Sequence, residues 1–231
     1  MTRESEVVQS LVEMADTLVD DYDIVDMLTG VADRCVRLLG ASAAGVMLVS
    51  PAGSLGLVAS SSEAMRLLEL FELQAQEGPC LDAYRTGEPA GPENLEADAG
   101  RWPRFAAAAL SAGFQSALAL PLRLREVTIG ALNLLQGSGD PMAEADIIVA
   151  RAFADLAALS ITHYRASAEA QRLTEQLSIA LASRVVIEQA KGVISERAGV
   201  DLAEAFTRLR GYARNHNLRL TDVAQAAVDG S

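Results

Sequence analysis

Apolar positions along the first forty residues recur three and four apart, the spacing of one helix face. Val7, Val8, Leu11, Val12, Met14, Ala15, Leu18 and Val19 predict an opening helix of about four turns. A second is predicted over Asp23–Leu39, with Ile24, Met27, Leu28, Val31, Cys35, Leu38 and Leu39 inward and Gly40 closing it. The period then breaks. AGVMLVS (44–50) and LGLVASS (55–61), separated by a Pro-Ala-Gly-Ser turn, read as an antiparallel hairpin. A helix follows over Ser62–Leu73. Residues 76–101 carry Pro79, Pro89 and Pro92 with Gly78, Gly87 and Gly91, and so read as a long connection with at most a short helix around Cys80–Arg85. After a helix over Arg101–Ala112, the stretches 116–122 and 127–135 return as strands. This order predicts an α+β unit, an antiparallel sheet with helices segregated to one side and a loop-covered pocket on the other.

The pattern from residue 142 onward is entirely helical. One long helix is expected over Met142–Ser178, and from Leu156 its apolar positions follow a heptad: Leu156 and Leu159, His163 and Ala166, Ala170 and Leu173, Leu177 and Ala180. Residues 156–182 are therefore a candidate coiled-coil linker. The alanines make so short a seam marginal alone, so a homodimer that also recruits the opening helix into a four-helix bundle is expected. Continuing the count pairs Arg184 with Ile187 and Lys191 with Ile194, so one seam position turns cationic. Gly199 then stops the helix. Asp201 and Glu204 form a capping box for a helix to about Asn215 whose inner stripe is Ala205, Phe206, Leu209 and Ala213. Thr221 caps a short third helix with Val223, Ala224, Ala227 and Val228 inward. Residues 183–231 thus read as a three-helix domain behind a first domain of residues 1–165.

Charge sharpens this division. The formal net charge is -12, yet residues 181–231 hold seven Lys and Arg against six Asp and Glu. So acidic a chain does not attract nucleic acid through its overall field, and any such binding must use a local patch. Half the residues are apolar, enough for ordinary cores. No apolar run approaches the roughly 20 residues that span a bilayer, and Met1 to Asp20 is unlike a signal peptide, so a cytoplasmic protein without membrane contact is expected. Cys35 and Cys80 lack metal-ligand spacing, and buried, idle thiols are expected.

Arg184 and Lys191 are seven residues apart, about 10 Å along one helix face, a spacing suited to phosphates or an RNA loop. Arg208, Arg210, Arg214 and Arg219 add charge from the next helix and turn, Tyr212 can stack on a base, and Asn217 can read a base edge or cap the turn. On spacing alone such a run is more often an ordinary solvated face. Catalysis finds no support: His163 and His216 have no companion Ser, Cys or metal set, and no phosphate-binding glycine loop occurs. No histidine lies between Ala44 and Leu135, which weighs against histidine-ligated haem. A non-enzymatic protein without a cofactor is expected.

Three blocks, RVVIEQAKGVI (184–194), AFTRLR (205–210) and ARNHNLRLTDVA (213–224), resemble in order the ANTAR domain, an RNA-binding module of bacterial transcription antiterminators. Ser195 departs from the apolar residue many members carry there. Upstream, EGPCLDAYRTGEP (77–89), RWPRF (101–105), SALALPL (116–122) and IGALNL (129–134) resemble the GAF sensory domains found ahead of ANTAR modules. The resemblance implies a dimer that binds tandem RNA stem-loops in nascent transcripts and prevents a terminator from forming. It places Arg184, Gln189, Lys191, Gly192, Arg210 and Asn217 at motif positions, the cations toward RNA and Ala190 and Gly192 permitting close approach. GAF domains take varied small molecules or none, so an unidentified ligand is expected at most. The alternative is a small-molecule or redox sensor that acts through protein partners, with the tail as a docking module.

Overall fold

The computed structural model describes residues 2–16, 23–91, 94–97, 99–138 and 142–230. The chain divides into two compact units, Met1–Arg165 and Ala166–Ser231.

The first unit runs α1 (Arg3–Asp16), α2 (Ile24–Leu39), β1 (Ala43–Val49), β2 (Leu55–Ser60), α3 (Glu63–Ala75), α4 (Pro79–Thr86), α5 (Pro103–Ser111), β3 (Ser116–Leu124), β4 (Val127–Gln136) and the start of α6 (Glu144–Ala198). Leu18 and Val19, expected to extend the opening helix, lie outside the described residues. Local chemistry sets the ends: the Asp23 carboxylate accepts from Val25 N (2.7 Å) and Asp26 N (3.2 Å) at the head of α2, and Gly40 closes it in the left-handed conformation. Ser62 caps α3 through Met65 N, and Pro79 and Pro103 open α4 and α5, where the missing N–H costs nothing.

The four strands form an antiparallel sheet in the order β2-β1-β4-β3. Alternation along the strands sorts side chains to two faces. Ala44, Val46, Leu48, Leu120, Leu122, Leu132 and Leu134 pack with Leu28, Val31 and Cys35 of α2 and with Phe153, Ala157 and Ile161 of α6. Phe153 is fully buried, and truncating such a residue to alanine costs about 3–5 kcal/mol. The opposite face carries Ala43, Met47, Ala117, Ala119, Ala131 and Leu135, packed against residues of α3, α4 and α5 and against Leu95 and Trp102. The expectation of helices on one side and loop on the other is therefore corrected. The insert folds into three short helices that cover the second face, because its Met65, Leu68, Cys80, Phe105 and Ala109 supply the apolar surface a bare loop lacks.

The second unit comprises the C-terminal part of α6 with α7 (Leu202–Asn215) and α8 (Leu220–Asp229). Ala190, Leu209 and Ala224 form its centre, flanked by Val186, Ile187, Ile194, Leu220, Val223, Ala227 and Val228. The long helix runs on to Ala198 rather than ending at Ser178. Gly199 (φ 63°) then turns the chain, and Ser195 Oγ donates to Val200 O at 2.5 Å. Ser195, the departure in the sequence motif, thus closes the turn. Asp201 caps α7 by accepting from Glu204 N at 2.8 Å, but the Glu204 carboxylate accepts from Arg208 Nε instead of completing the box. Arg219, not Thr221, is the N-cap of α8.

Candidate RNA interface

Placing α6 residues at about 100° per residue around the buried Ala190 puts Arg184 and Lys191 on one flank and Gln189 on the other, with Gly192 on the outer face. The same count around the buried Leu209 of α7 puts Phe206, Arg210 and Arg214 on one flank and Arg208 and Tyr212 on the opposite one. The first two sets meet where Lys191 Nζ lies 5.8 Å from the Phe206 ring centroid. The Arg184, Lys191, Arg210 and Arg214 side of the two helices is therefore one cationic flank, and Arg184, Arg210 and Arg214 are exposed on it.

Lys191 is the least free of these cations. Its side chain is 18% exposed and donates to both Glu188 oxygens, at 2.8 and 3.0 Å. Gln189 and Gly192 are exposed, and a Cβ at Gly192 would meet nothing within 4 Å, so the backbone there is open to a close neighbour. Ala190 does not share that role. It is fully buried against the Leu209 and Ala224 core, so the approach its small side chain permits is between helices.

The other flank of α7 borders an apolar groove of about 460 Å³ between α7 and α8, lined by Ile194, Leu209, Leu218 and Val223 with Arg208, Tyr212 and Asp222 at its polar positions. Tyr212 is 53% exposed and stacks on His216, ring centroids 4.0 Å apart, with His216 Nδ1 2.9 Å from Tyr212 O. Asn217 holds a positive φ of 54° at the turn, a conformation Asn tolerates better than most residues, and Arg219 follows on the exposed connection. The ten predicted residues thus fall into a cationic flank, a groove edge with its turn, and the separate positions Gln189 and Gly192. Phe206, Glu188 and His216, which join, neutralise or stack on them, were not expected to take part.

The first unit holds a second polar locus. Glu69 and Glu72 of α3 are fully buried, on the same stripe as Met65 and Leu68, a spacing at which two carboxylates in an apolar pattern could have been noticed. Glu72 accepts from Leu81 N at 3.1 Å. Burial pushes its carboxyl up to about 8, with Asp82 adding to the rise and the Leu81 and Cys80 amides opposing it. Glu69 is raised well above the usual range by burial and then by Glu72. Cys80 is buried, and burial, Glu72 and Glu69 hold its thiol far up, while burial alone takes Cys35 to about 12. Both cysteines are buried, and burial disfavours their thiolate forms. Among the described residues no group of His, Cys, Asp and Glu is arranged to hold a metal ion, and no helix is long and apolar enough to cross a membrane.

Known proteins resemble both units. The GAF domain family matches residues 21–162 and the ANTAR domain family residues 175–228. Among solved structures, the GAF domain of an Acinetobacter phosphoenolpyruvate-protein phosphotransferase aligns at 14% identity and TM-score 0.55, over 72% of this chain and 97% of that one. Its Coxiella burnetii counterpart aligns at 16% and 0.53, over 71% and 96%. The free methionine-R-sulfoxide reductase of Neisseria meningitidis, solved with its substrate, aligns at 18% and 0.55, over 72% and 95%. At these identities the likeness shows the fold alone. No curated protein matches the chain. With the sheet, its helical cover and the three-helix tail all in place, the chain belongs to the GAF family and carries an ANTAR domain behind its GAF domain.

Proposed function

We propose that this protein is a cytoplasmic RNA-binding regulator of transcription antitermination, in which residues 1–165 sense a signal, residues 156–182 pair as a coiled coil in a homodimer, and residues 183–231 bind RNA stem-loops. The observation that carries the reading is the cationic flank formed by Arg184, Lys191, Arg210 and Arg214 across two helices bridged by Phe206. Cations held on rigid helices position a phosphate backbone. Tyr212 with Arg208, Asn217 and Arg219 supplies stacking and base-edge contacts from the groove side, and Gln189 and Gly192 serve where RNA comes closest to α6. The homodimer rests on α6: every residue from 163 to 182 is exposed in the single chain, including Leu173 and Leu177 of the heptad, at 55% and 61%.

A tandem stem-loop RNA titrated with the full chain tests the reading. Arg184→Ala and Arg210→Ala are each expected to weaken binding about five- to tenfold and to lower the slope of log affinity against log salt by about one, as loss of one phosphate contact does. Binding unaltered in both variants would overturn it. The groove favours a second reading, in which the tail docks a protein: it is apolar, and Asp222 on its wall would repel phosphate. In that case Leu218→Glu abolishes partner capture while RNA is not bound at all.

A further inference from the structure

The polar locus beneath the sheet goes beyond what the GAF fold requires. Both oxygens of Glu69, Oε2 of Glu72, and both Oδ1 and Nδ2 of Asn133 are buried without a hydrogen-bond partner among the described residues. Asn133 is 0% exposed. The ladder shows that these groups converge. Gly45 of β1 stands opposite Asn133 of β4, so the two positions face the same side of the sheet. A Cβ at Gly45 would run into the Glu69 carboxylate. The Glu69 carboxylate therefore lies over Gly45, one ladder position from the Asn133 amide. Glu72 is cradled in the same way by Gly78, where a Cβ would strike its side chain. Met47, Cys80, Ala119 and Ala131 form the apolar surroundings.

Unpaired buried groups of this kind are costly, and a native fold keeps few of them without a reason. The set defines its complement: four acceptor atoms against one donor, and two carboxylates with no ion pair among the described residues. The matching group is positive and rich in N–H. The two free oxygens of Glu69 belong to one planar carboxylate, which a planar pair of N–H donors meets in two parallel hydrogen bonds and an ammonium does not. We propose that Glu69, Glu72 and Asn133 form a binding site for a small guanidinium or amidinium cation, its N–H fork seated on Glu69. This site names the ligand class for the sensory role and rests on that reading.

The chemistry gives the site a distinctive signature. Burial pushes both carboxyls up, Glu72 to about 8, which favours their protonated forms, whereas a seated cation favours the ionised ones. The other titratable groups that act on them are Cys80 and Asp82 of α4. Binding therefore releases protons, and affinity rises with pH.

The test titrates the full chain calorimetrically with methylguanidinium chloride, and in parallel with methylammonium chloride, in buffers of different ionisation enthalpy. The expected result is saturable binding with about one proton released per cation, tightening by up to tenfold per pH unit as pH rises. Methylguanidinium should bind at least about tenfold more tightly than methylammonium. Glu69→Gln, an isostere of the neutral acid, should fold and lose the binding. No saturable heat, no proton release, equal affinity in Glu69→Gln, or equal affinity for methylammonium would each overturn the proposal. Proton release by the unaltered chain decides the matter even if the variant fails to fold. Repeating the RNA titration with methylguanidinium present separates the two readings. A cation that binds with no change in RNA affinity leaves the site standing and removes the sensory role; RNA binding without any cation binding does the reverse.

Discussion

Lys191 is shared between the fold and any ligand. Its ammonium is already held by Glu188 and lies near Phe206, so RNA must displace one carboxylate to reach it, whereas among the described residues no carboxylate pairs with Arg184 or Arg210. The sequence located these cations by their spacing, and the same spacing offers Glu188 as an i,i+3 partner of Lys191, which was not drawn from it. Ala190 shows a limit of the sequence. Its place in the motif suggested the surface, and only the packing of Leu209 and Ala224 shows it to be core. Glu72 carries the pH prediction. Its folded value, about 8, lies above the ordinary 4.5, so the folded state keeps a proton that the unfolded state gives up. The resulting stability is complete below about pH 4.5 and is lost as pH rises through about 8, on the order of a few kcal/mol. Thermal unfolding of the first unit followed across that range should show a falling midpoint, flattened in Glu72→Gln. A midpoint that rises with pH would contradict the buried, protonated carboxyl.

At the level of elements, periodicity located every helix and strand of the described chain, and the errors lie where distant parts decide. The insert between β2 and β3 was legible as glycine- and proline-rich, and the short α4 was expected, yet the cover as a whole was not. Whether such helices cover a sheet depends on the face beneath them, which is assembled from strands on both sides of the insert in the sequence. The span Met142–Ser178 covered only part of α6, but the Gly199 stop marks its end: the heptad turns cationic at Arg184 without a change of element. The bare heptad carries its own prediction. Leu173→Glu combined with Leu177→Glu places charges on the expected seam and should convert a dimer into a monomer in sedimentation velocity, while both units keep their cores. A dimer that persists would assign the pairing to another surface, such as the exposed Val8 and Val12 of α1.

For the whole molecule, charge is spread unevenly along the chain. The first 180 residues hold 25 acidic side chains against 12 basic ones, and the remainder is nearly balanced. Only local cations can draw in RNA, and the acidic bulk suppresses indiscriminate contact. That division was readable from composition, as were the two domains. The place of Glu69 and Glu72 on an apolar stripe was there to be noticed, but what they face was not, because it takes the sheet to bring a glycine and an unpaired amide opposite them. The exposed middle of α6 has a further consequence. A helical stretch of about 20 residues without buried side chains is marginal in water by itself, so a lone chain should fray at residues 163–182 while its ends stay folded. Trypsin should then cut first after Arg172, at a rate that falls as protein concentration rises and the seam is covered, releasing two fragments that each keep a core. On the proposed pairing, the turns that join two copies also make a single copy severable, so protein concentration sets how long it stays in one piece.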